Sequence, residues 1–348
     1  MPCPAEYNFY FTHDVLLTDL AVVNFDLVRV KKDLQFIIVH ADEDKIIPHA
    51  YYWKDSTFKT EFVTVDGWNH FWFIILSASY LEHSSDTAFA NKLYPYVKKS
   101  LEQSLLGEKE GLMYAYRPDW WDIGRNYGPR SYMTILAIKS IRDFIFISER
   151  LGKESNEIKN YSALADEMQT QLNKKLWSDE KKYLINYFED GSEDPHYYMG
   201  SLLAVYFDLL KIERAKELLA TAEKYLLDEQ LGIYTVYPMD FHNLIDFFKF
   251  AGNEAGDPHK YINGGIWPHS NAWYALALMK IGQKDKALKF IKRTMTIDGI
   301  INSPNGQPAM YEYRNSNLNN PQEYGKVDKP QFMWAAGWYL YVLYEYLK

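Results

Sequence analysis

Apolar residues recur at helical spacing along much of the chain. In the clearest case, Ile158, Tyr161, Ala165, Met168 and Leu172 follow the positions i, i+3, i+7, i+10 and i+14. Such a stripe with a polar back predicts a helix that buries one side. Similar stripes predict two more one-sided helices, within residues 215–226 and 283–295.

A second kind of segment is apolar on nearly every face. A helix of this kind must be buried on all sides, so it belongs inside a ring of one-sided helices. These segments are residues 68–81, 131–147, 196–210, 267–281 and 331–347. We therefore predict an all-α fold, an (α/α)6 barrel whose inner helices begin near residues 14, 68, 130, 196, 268 and 331. Because no linker or low-complexity tract interrupts the pattern, we expect one domain covering residues 1–348.

Long, aromatic and irregular connections precede several of the predicted inner helices. Long irregular loops in a compact domain commonly carry function. Because each of these loops enters the N-terminal end of an inner helix, we expect them to gather at one mouth of the barrel. They are residues 46–67, 111–129, 229–265 and 298–329.

Composition narrows the range of partners. The net charge of −8 leaves no basic surface for nucleic acid, and a single cysteine provides neither a disulfide framework nor a cysteine zinc site. No apolar run reaches the ~18 residues that a membrane span requires. The N-terminus lacks a signal-peptide pattern, so we expect a cytoplasmic location.

The aromatic content of 17% suits a sugar-binding cleft, and equally a helical core rich in tyrosine. The pattern leaves the oligomeric state open.

Carboxylates embedded among aromatic residues are the candidate chemistry of the loops. The sequence lacks nucleotide-binding, zinc-protease and serine-hydrolase motifs, and it shows no ligand cluster for a metal, so we expect no cofactor. In residues 117–125, Trp120 and Trp121 stand directly before Asp122. Desolvation by tryptophans can raise the pKa of a carboxyl group, as a general acid requires. A helix cap or an ion pair with Arg125 explains the same motif about equally well.

Glu312 is the second candidate carboxylate, because it lies between two tyrosines in the last long loop. A glutamate in this position can activate a water molecule held opposite the acid. Taken alone, the motif is explained more simply by a surface salt bridge with Arg314. Taken with Asp122, it supplies the two carboxyl groups that an inverting glycosidase places on opposite sides of a sugar, about 6.5–9.5 Å apart.

Two further segments open predicted inner helices and carry polar and aromatic residues. Residues 7–14 precede the first of these helices, and residues 261–273 precede the fifth. Gly264 and Gly265 permit a tight turn, and Pro268 suits a first helical turn. We predict that these segments and the carboxylate loops line one deep pocket for a carbohydrate. The predicted substrate-binding residues are Tyr10, His13, Asp14, Trp68, His70, Trp120, Trp121, Arg125, Trp267, His269 and Asn271.

Taken in order, these segments resemble the six-hairpin glycosidases over nearly the whole chain. Residues 260–282, KYINGGIWPHSNAWYALALMKIG, are similar to the YWRGPIWPNxNY segment of the processing α-glucosidase I family, glycoside hydrolase family 63, and of debranching α-1,6-glucosidases. Asp122 in WWDIGRNYGPR matches the general acid of their GWDxSPR motif, which trehalases share. Glu312 in MYEYRNSN matches the general base of their FYEYYDP region. The resemblance implies an inverting hydrolase of a small α-glycoside, such as a glucose disaccharide or a glycosyl-glycerate.

Two departures and two alternatives accompany this resemblance. YNFYFTHD is similar to the glucoamylase-type opening, but His13 replaces its arginine and leaves Asp14 as the matching residue. Asn263-Gly264-Gly265 lacks the arginine of the RGP motif, which leaves the sugar open. DWWD followed by NGGIWPH also resembles the disaccharide phosphorylases, which use phosphate as nucleophile and carry no base. A non-catalytic helical scaffold is the other alternative, and it would leave the carboxylates among tryptophans unexplained.

Overall fold

The computed structural model describes residues 9–62, 67–153 and 155–348, and most of these residues are helical. The described helices alternate along the chain between buried and one-sided segments, as the apolar pattern predicts. They are α1 (Thr12–Val22), α2 (Leu27–Val39), α3 (Trp68–Ser84), α4 (Thr87–Ser104), α5 (Ser131–Arg150), α6 (Ser155–Gln171), α7 (Leu202–Tyr206), α8 (Ile212–Tyr225), α9 (Ile245–Phe248), α10 (Pro268–Lys280), α11 (Lys284–Thr294), α12 (Ile297–Ile301) and α13 (Met333–Leu347).

Short antiparallel strand pairs fill the connections between the helices. The longest is the hairpin of β2 and β3, to which β1 adds a third strand. The strands are β1 (Phe9–Phe11), β2 (Ala50–Lys54), β3 (Thr57–Glu61), β4 (Glu108–Lys109), β5 (Leu112–Ala115), β6 (Gly128–Pro129), β7 (Trp177–Ser178), β8 (Tyr183–Leu184), β9 (Tyr197–Tyr198), β10 (Leu227–Asp228), β11 (Gly232–Ile233), β12 (Val236–Tyr237), β13 (Tyr311–Arg314) and β14 (Val327–Pro330).

The chain divides into two compact units. The first covers the described parts of Met1–Met113 together with Leu136–Gln171, and the second covers Tyr114–Ile135 together with Leu172–Lys348. In the first unit α3 packs against α1 and α4. Side-chain caps fix where two of its helices begin, because Asp26 accepts from the Arg29 amide and Asp86 from the Phe89 amide.

Helix α10 is the centre of the second unit, where it packs against α7, α11 and α13. Every residue from Pro268 to Leu278 is buried, which agrees with a segment that is apolar on all faces. Pro268 stands in the first helical turn, where its missing N–H costs no hydrogen bond. The one-sided helices α6, α8 and α11 also lie where their apolar stripes predict them.

Two inner helices differ from the prediction. The segment 196–210 forms only the short helix α7, because Tyr197 and Tyr198 pair as a strand with Val236 and Tyr237. The C-terminal half of α13 is half-buried rather than fully buried. Tyrosines tolerate that setting since they combine an apolar ring with a polar hydroxyl. The Tyr341 hydroxyl, for example, is 2.8 Å from that of Tyr206.

A buried hydrogen-bond network surrounds His196 in the segment that precedes α7. The Nδ1 atom of His196 lies 2.6 Å from Asp194 Oδ1, and its Nε2 atom lies 2.7 Å from Asp240 Oδ1. Tyr198 donates to the other Asp194 oxygen at 2.8 Å, and Arg130 lies 3.8 Å from that oxygen. The network therefore ties the segment before α7 to the loop that contains Asp240.

Among the described residues, no helix is both long enough and apolar enough to cross a membrane.

The His196 network predicts a specific pH dependence of stability. Burial opposes the charge on His196, but hydrogen bonds to Asp194 and Asp240 outweigh it and raise the pKa to about 9. Because this value lies above the unfolded pKa of ~6.5, the stabilisation is complete below that pH and is lost as pH rises through ~9. In His196→Gln, we expect the free energy of unfolding to lose this dependence, on the order of 1–3 kcal/mol, in urea titrations at pH 6 and 9.5. His83→Gln, at an exposed histidine, is the control. An unchanged pH dependence in His196→Gln would contradict the assignment.

Candidate functional site

A cluster of aromatic side chains brings three distant parts of the second unit together. The Trp120 ring centroid lies 4.5 Å from that of Trp267, 4.2 Å from that of His269 and 6.1 Å from that of Trp334. These residues come from the 117–125 loop, the start of α10 and the start of α13. Three of the predicted binding residues, Trp120, Trp267 and His269, are therefore in mutual contact.

Trp267 continues this cluster toward strand β13. Its ring stacks on Tyr313 with a centroid distance of 5.6 Å, and its indole N–H donates to the Tyr261 carbonyl at 2.9 Å. Backbone hydrogen bonds between Ile266 and Arg314, of 2.9 and 3.0 Å, join the two segments directly. Glu312 lies near this cluster because Lys329, whose Nζ atom is 2.6 Å from the Glu312 carboxylate, is 5.9 Å from the ring centroid of Tyr313.

Glu312 is a buried carboxylate with a cationic partner. Its Oε2 atom lies 2.6 Å from Lys329 Nζ, and its side chain is only 5% exposed. Arg314, which the sequence offered as a surface partner, instead donates to the Gly325 carbonyl at 2.8 Å and to Ser303 Oγ at 2.6 Å. The expectation of a surface salt bridge with Arg314 is therefore wrong, because the arginine supports the turns on either side of β13.

The two carboxylates of DWWD occupy opposite environments. Asp119 is fully buried and accepts a 3.0 Å hydrogen bond from the Gly200 amide, and burial raises its pKa to about 8. Asp122 is exposed. The desolvation that the tryptophans were expected to impose therefore falls on Asp119, because that residue points into the packed interior. Neither residue caps α5, which begins only at Ser131.

The backbone around Asp122 is held from both sides. Arg117 donates to the Asp122 carbonyl through Nε at 3.1 Å and Nη2 at 2.8 Å. Two positions further along, the Gly124 amide donates to Glu254 Oε1 at 3.1 Å. Gly124 has φ +67°, and a side chain here would strike the Phe250 ring. The exposed carboxyl group therefore stands on a fixed loop.

The other predicted residues of the second unit have mixed surroundings. Trp121 is buried against Tyr198 and Phe241, with centroid distances of 5.8 Å to each. Arg125 is exposed and stacks 4.7 Å above the Tyr116 ring. The side-chain oxygen of Asn271 accepts a 2.8 Å hydrogen bond from the Ile233 N–H. Because this hydrogen bond and a second one, to the Leu231 carbonyl, serve the fold, we leave Asn271 out of the proposed sugar-contacting set.

Four of the predicted residues of the first unit lie at the starts of α1 and α3. The His13 ring lies 4.4 Å from that of Trp68, and His49 packs on the same indole at 5.7 Å. Burial, with a smaller contribution from His49, lowers the pKa of His70 to about 4, so this imidazole is neutral at pH 7. Asp14 is buried in the first turn of α1.

Tyr10 belongs to a different part of the first unit. Its ring packs on Phe36 of α2 at 5.0 Å, and its hydroxyl donates to Asp33 at 3.3 Å. The prediction that residues of both units share one pocket stays a prediction.

Sequence reasoning missed several members of the site. Trp334 follows the last long loop and was assigned only to a buried helix, and Lys329 carried no motif of its own. Tyr261 was quoted in a motif but given no role. Two signals were available: Lys329 comes at the end of the same loop as Glu312, and Trp334 lies in the QFMWAAGW segment that follows it.

One cavity in the second unit, of about 370 Å³, contains none of the predicted residues. It lies at the C-terminal end of α11, and residues from α11 and the α12 region line it. Among the described residues, no three histidine, cysteine or acidic side chains come together as a metal-binding group.

Comparison with known proteins assigns the family. Residues 68–347 match the catalytic domain of the Glycosyl hydrolase 94 superfamily, and the chain belongs to this superfamily. It is similar to N,N'-diacetylchitobiose phosphorylase of Vibrio proteolyticus, with 22% identity over 309 residues, 80% of this chain and 37% of the relative. The same enzyme of Vibrio furnissii is 20% identical over 92% of this chain and 41% of the relative. The chain thus spans about two fifths of the length of these curated relatives.

Solved structures show the same fold at low sequence identity. A family 63 mannosylglycerate hydrolase from Thermus thermophilus, in complex with glucose, has a TM-score of 0.71 and 12% identity, covering 98% of this chain and 94% of that chain. A rhamnosidase from Klebsiella oxytoca with rhamnose bound has a TM-score of 0.70 and 15% identity, covering 99% of this chain and 60% of that one. These matches confirm the resemblance to six-hairpin glycosidases. The sequence match falls in superfamily 94, whereas family 63 is a structural neighbour.

The buried state of Asp119 gives a testable consequence. Its folded pKa, about 8, lies above the unfolded value of ~3.9, so the free energy of unfolding falls as pH rises between these values. Asp119→Asn removes this titration and should be more stable than the wild type at pH 8. Urea unfolding at pH 5 and pH 8 measures the effect, with the exposed Asp166→Asn as control. If Asp119→Asn is less stable than the wild type at pH 8, Asp119 is held as a charged group and the assignment fails.

Proposed function

We propose that this chain is an (α/α)6-barrel catalytic domain that hydrolyses a small α-glycoside with inversion of configuration. Asp122 donates a proton to the glycosidic oxygen, and Glu312 removes a proton from the water that attacks the opposite face of the sugar. The observation that carries the proposal is the buried Glu312 carboxylate, whose partner Lys329 lies against Tyr313 of the aromatic cluster. Removing a carboxylate from water costs free energy even when an opposite charge lies beside it. Its presence here therefore favours a functional role.

The choice of acid follows from access. A general acid must come within hydrogen-bonding distance of the glycosidic oxygen, and Asp119 is fully buried and bonded to the Gly200 amide. Asp122 is exposed on a loop whose backbone is held by Arg117 and Glu254. Trp120 precedes it by two residues and, through its contacts with Trp267 and His269, anchors this loop to the aromatic cluster.

Phosphorolysis is the second candidate, and the family comparison favours it. Both curated relatives are named N,N'-diacetylchitobiose phosphorylase, and superfamily 94 covers most of the chain. In such a reaction a phosphate oxygen attacks the anomeric carbon while the acid protonates the leaving oxygen. Water needs a base to remove its proton whereas phosphate does not, so an ionised Glu312 favours water as the nucleophile.

Substitution of the two carboxylates tests the proposal. Asp122→Asn and Glu312→Gln should each lower kcat by about 10²–10⁴-fold, since each removes one proton transfer from the transition state. Asp119→Asn is the matched control and should change kcat by less than ~10-fold. The substrate panel should contain p-nitrophenyl glycosides, α-linked glucose disaccharides, mannosyl-glycerate and N,N'-diacetylchitobiose, each with and without phosphate.

Three outcomes would contradict the assignment. Activity confined to β-linked substrates would overturn the proposed linkage. Turnover that needs phosphate and survives Glu312→Gln would make the chain a phosphorylase. Loss of turnover in Asp119→Asn with retention in Asp122→Asn would exchange the roles of the two aspartates.

A further inference from the structure

Lys329 stands in an unusual backbone position next to the proposed base. The register of β13 and β14 aligns Tyr311 with Pro330 and Tyr313 with Asp328, which sets Glu312 opposite Lys329. Lys329 has φ +44°, in the left-handed region that residues with a Cβ atom avoid. This conformation costs about 1–2 kcal/mol, so surrounding interactions must hold it in place.

The ammonium group of Lys329 is enclosed by the residues of the site. Its Nζ atom lies 2.6 Å from Glu312 Oε2 and 3.8 Å from Asp328 Oδ1. It also lies 5.5 Å from the ring centroid of Tyr261 and 5.9 Å from that of Tyr313. The faces of aromatic rings attract a cation, so both tyrosines stabilise the ammonium group at this place.

The side chains of Lys329 and Glu312 differ in their exposure to solvent. The Lys329 side chain is 27% exposed, whereas that of Glu312 is 5% exposed. A carboxylate withdrawn from water favours its neutral form unless an opposite charge lies close by. The guanidinium group of Arg314 is directed elsewhere, because it donates hydrogen bonds to the Gly325 carbonyl, to Ser303 Oγ and to the Pro304 carbonyl.

We propose that Lys329 is a positioning residue that keeps the Glu312 carboxylate ionised and fixes its orientation for catalysis. The inference rests on the proposed role of Glu312 as the general base. Lys329 lies 2.6 Å from Oε2 and so fixes the orientation of the carboxylate group. The left-handed backbone at Lys329 is maintained because it aims the side chain across the strand pair at Glu312.

Other titratable groups surround the carboxylate, and they stay unchanged in the test. The elements packed against β13 include β14, the loop before α10, α10 itself, the first turn of α13 and, through Ile300, α12. The first turn of α13 carries no titratable side chain. The titratable groups of the other elements include Asp328 of β14, Tyr261 of the loop, His269 of α10 and Asp298 of α12.

The pH dependence of kcat/KM for Lys329→Met tests the proposal. Without the ammonium group, protonation of Glu312 becomes easier, so the acidic limb of the profile should move upward by about one pH unit or more. At the optimum, kcat should fall by about 10–100-fold, with KM changing less than ~3-fold, because the change affects the transition state. Lys329→Arg retains a cation and should keep the acidic limb in place. Lys326→Met, which removes an exposed lysine paired with Glu323, should leave both quantities unchanged.

The outcomes separate this inference from the proposed function. If Glu312→Gln keeps full turnover, the proposed base is wrong. If Glu312→Gln is inactive but folded Lys329→Met has the wild-type kcat and acidic limb, Lys329 is structural only and the inference alone fails. If circular dichroism shows that Lys329→Met does not fold, the pH profile of Lys329→Arg tests the inference instead. An upward shift of the acidic limb in Lys329→Arg would overturn the proposal.

Discussion

The packing of Trp120 on Trp267 is the contact on which the candidate site depends. It joins a loop near residue 120 to the start of α10, while Tyr313 and Trp334 pack on the other sides of Trp267. Large aromatic rings in such arrangements contribute buried area and a preferred geometry together. Because the rings fix three segments against one another, the backbone that carries Asp122 and the strand that carries Glu312 have defined positions in the second unit.

Two buried ionisable groups near this aromatic cluster have partners of opposite charge. Glu312 lies beside Lys329, and His196 lies between Asp194 and Asp240. Asp119 differs, since it accepts a backbone hydrogen bond and its raised pKa favours the neutral form. The cost of burying an unpaired charge therefore distinguishes the carboxylate that supports the fold from the one available for chemistry.

The apolar pattern predicted most of the helices, because burial on one side or on all sides leaves a direct trace in sequence. It failed at the fourth inner helix, where the His196 network and a strand pair occupy the segment before the start at Leu202. The motifs of the loops named Trp120, Trp267 and His269, which are in mutual contact, and Glu312, which lies near them. The identity of the Glu312 partner was not predictable, since it depends on strand register and on a left-handed backbone at Lys329. The exposures of Asp119 and Asp122 also depend on tertiary packing, and the motif alone could not separate them.

Whether water or phosphate attacks the sugar is the central question for this member of superfamily 94. Proton NMR of the first reaction products, recorded on an α-glycoside substrate with and without phosphate, answers it directly. We expect the β-anomer of the free sugar to appear first, at the same rate in both samples. Formation of a glycosyl phosphate, or a reaction that occurs only when phosphate is present, would contradict it.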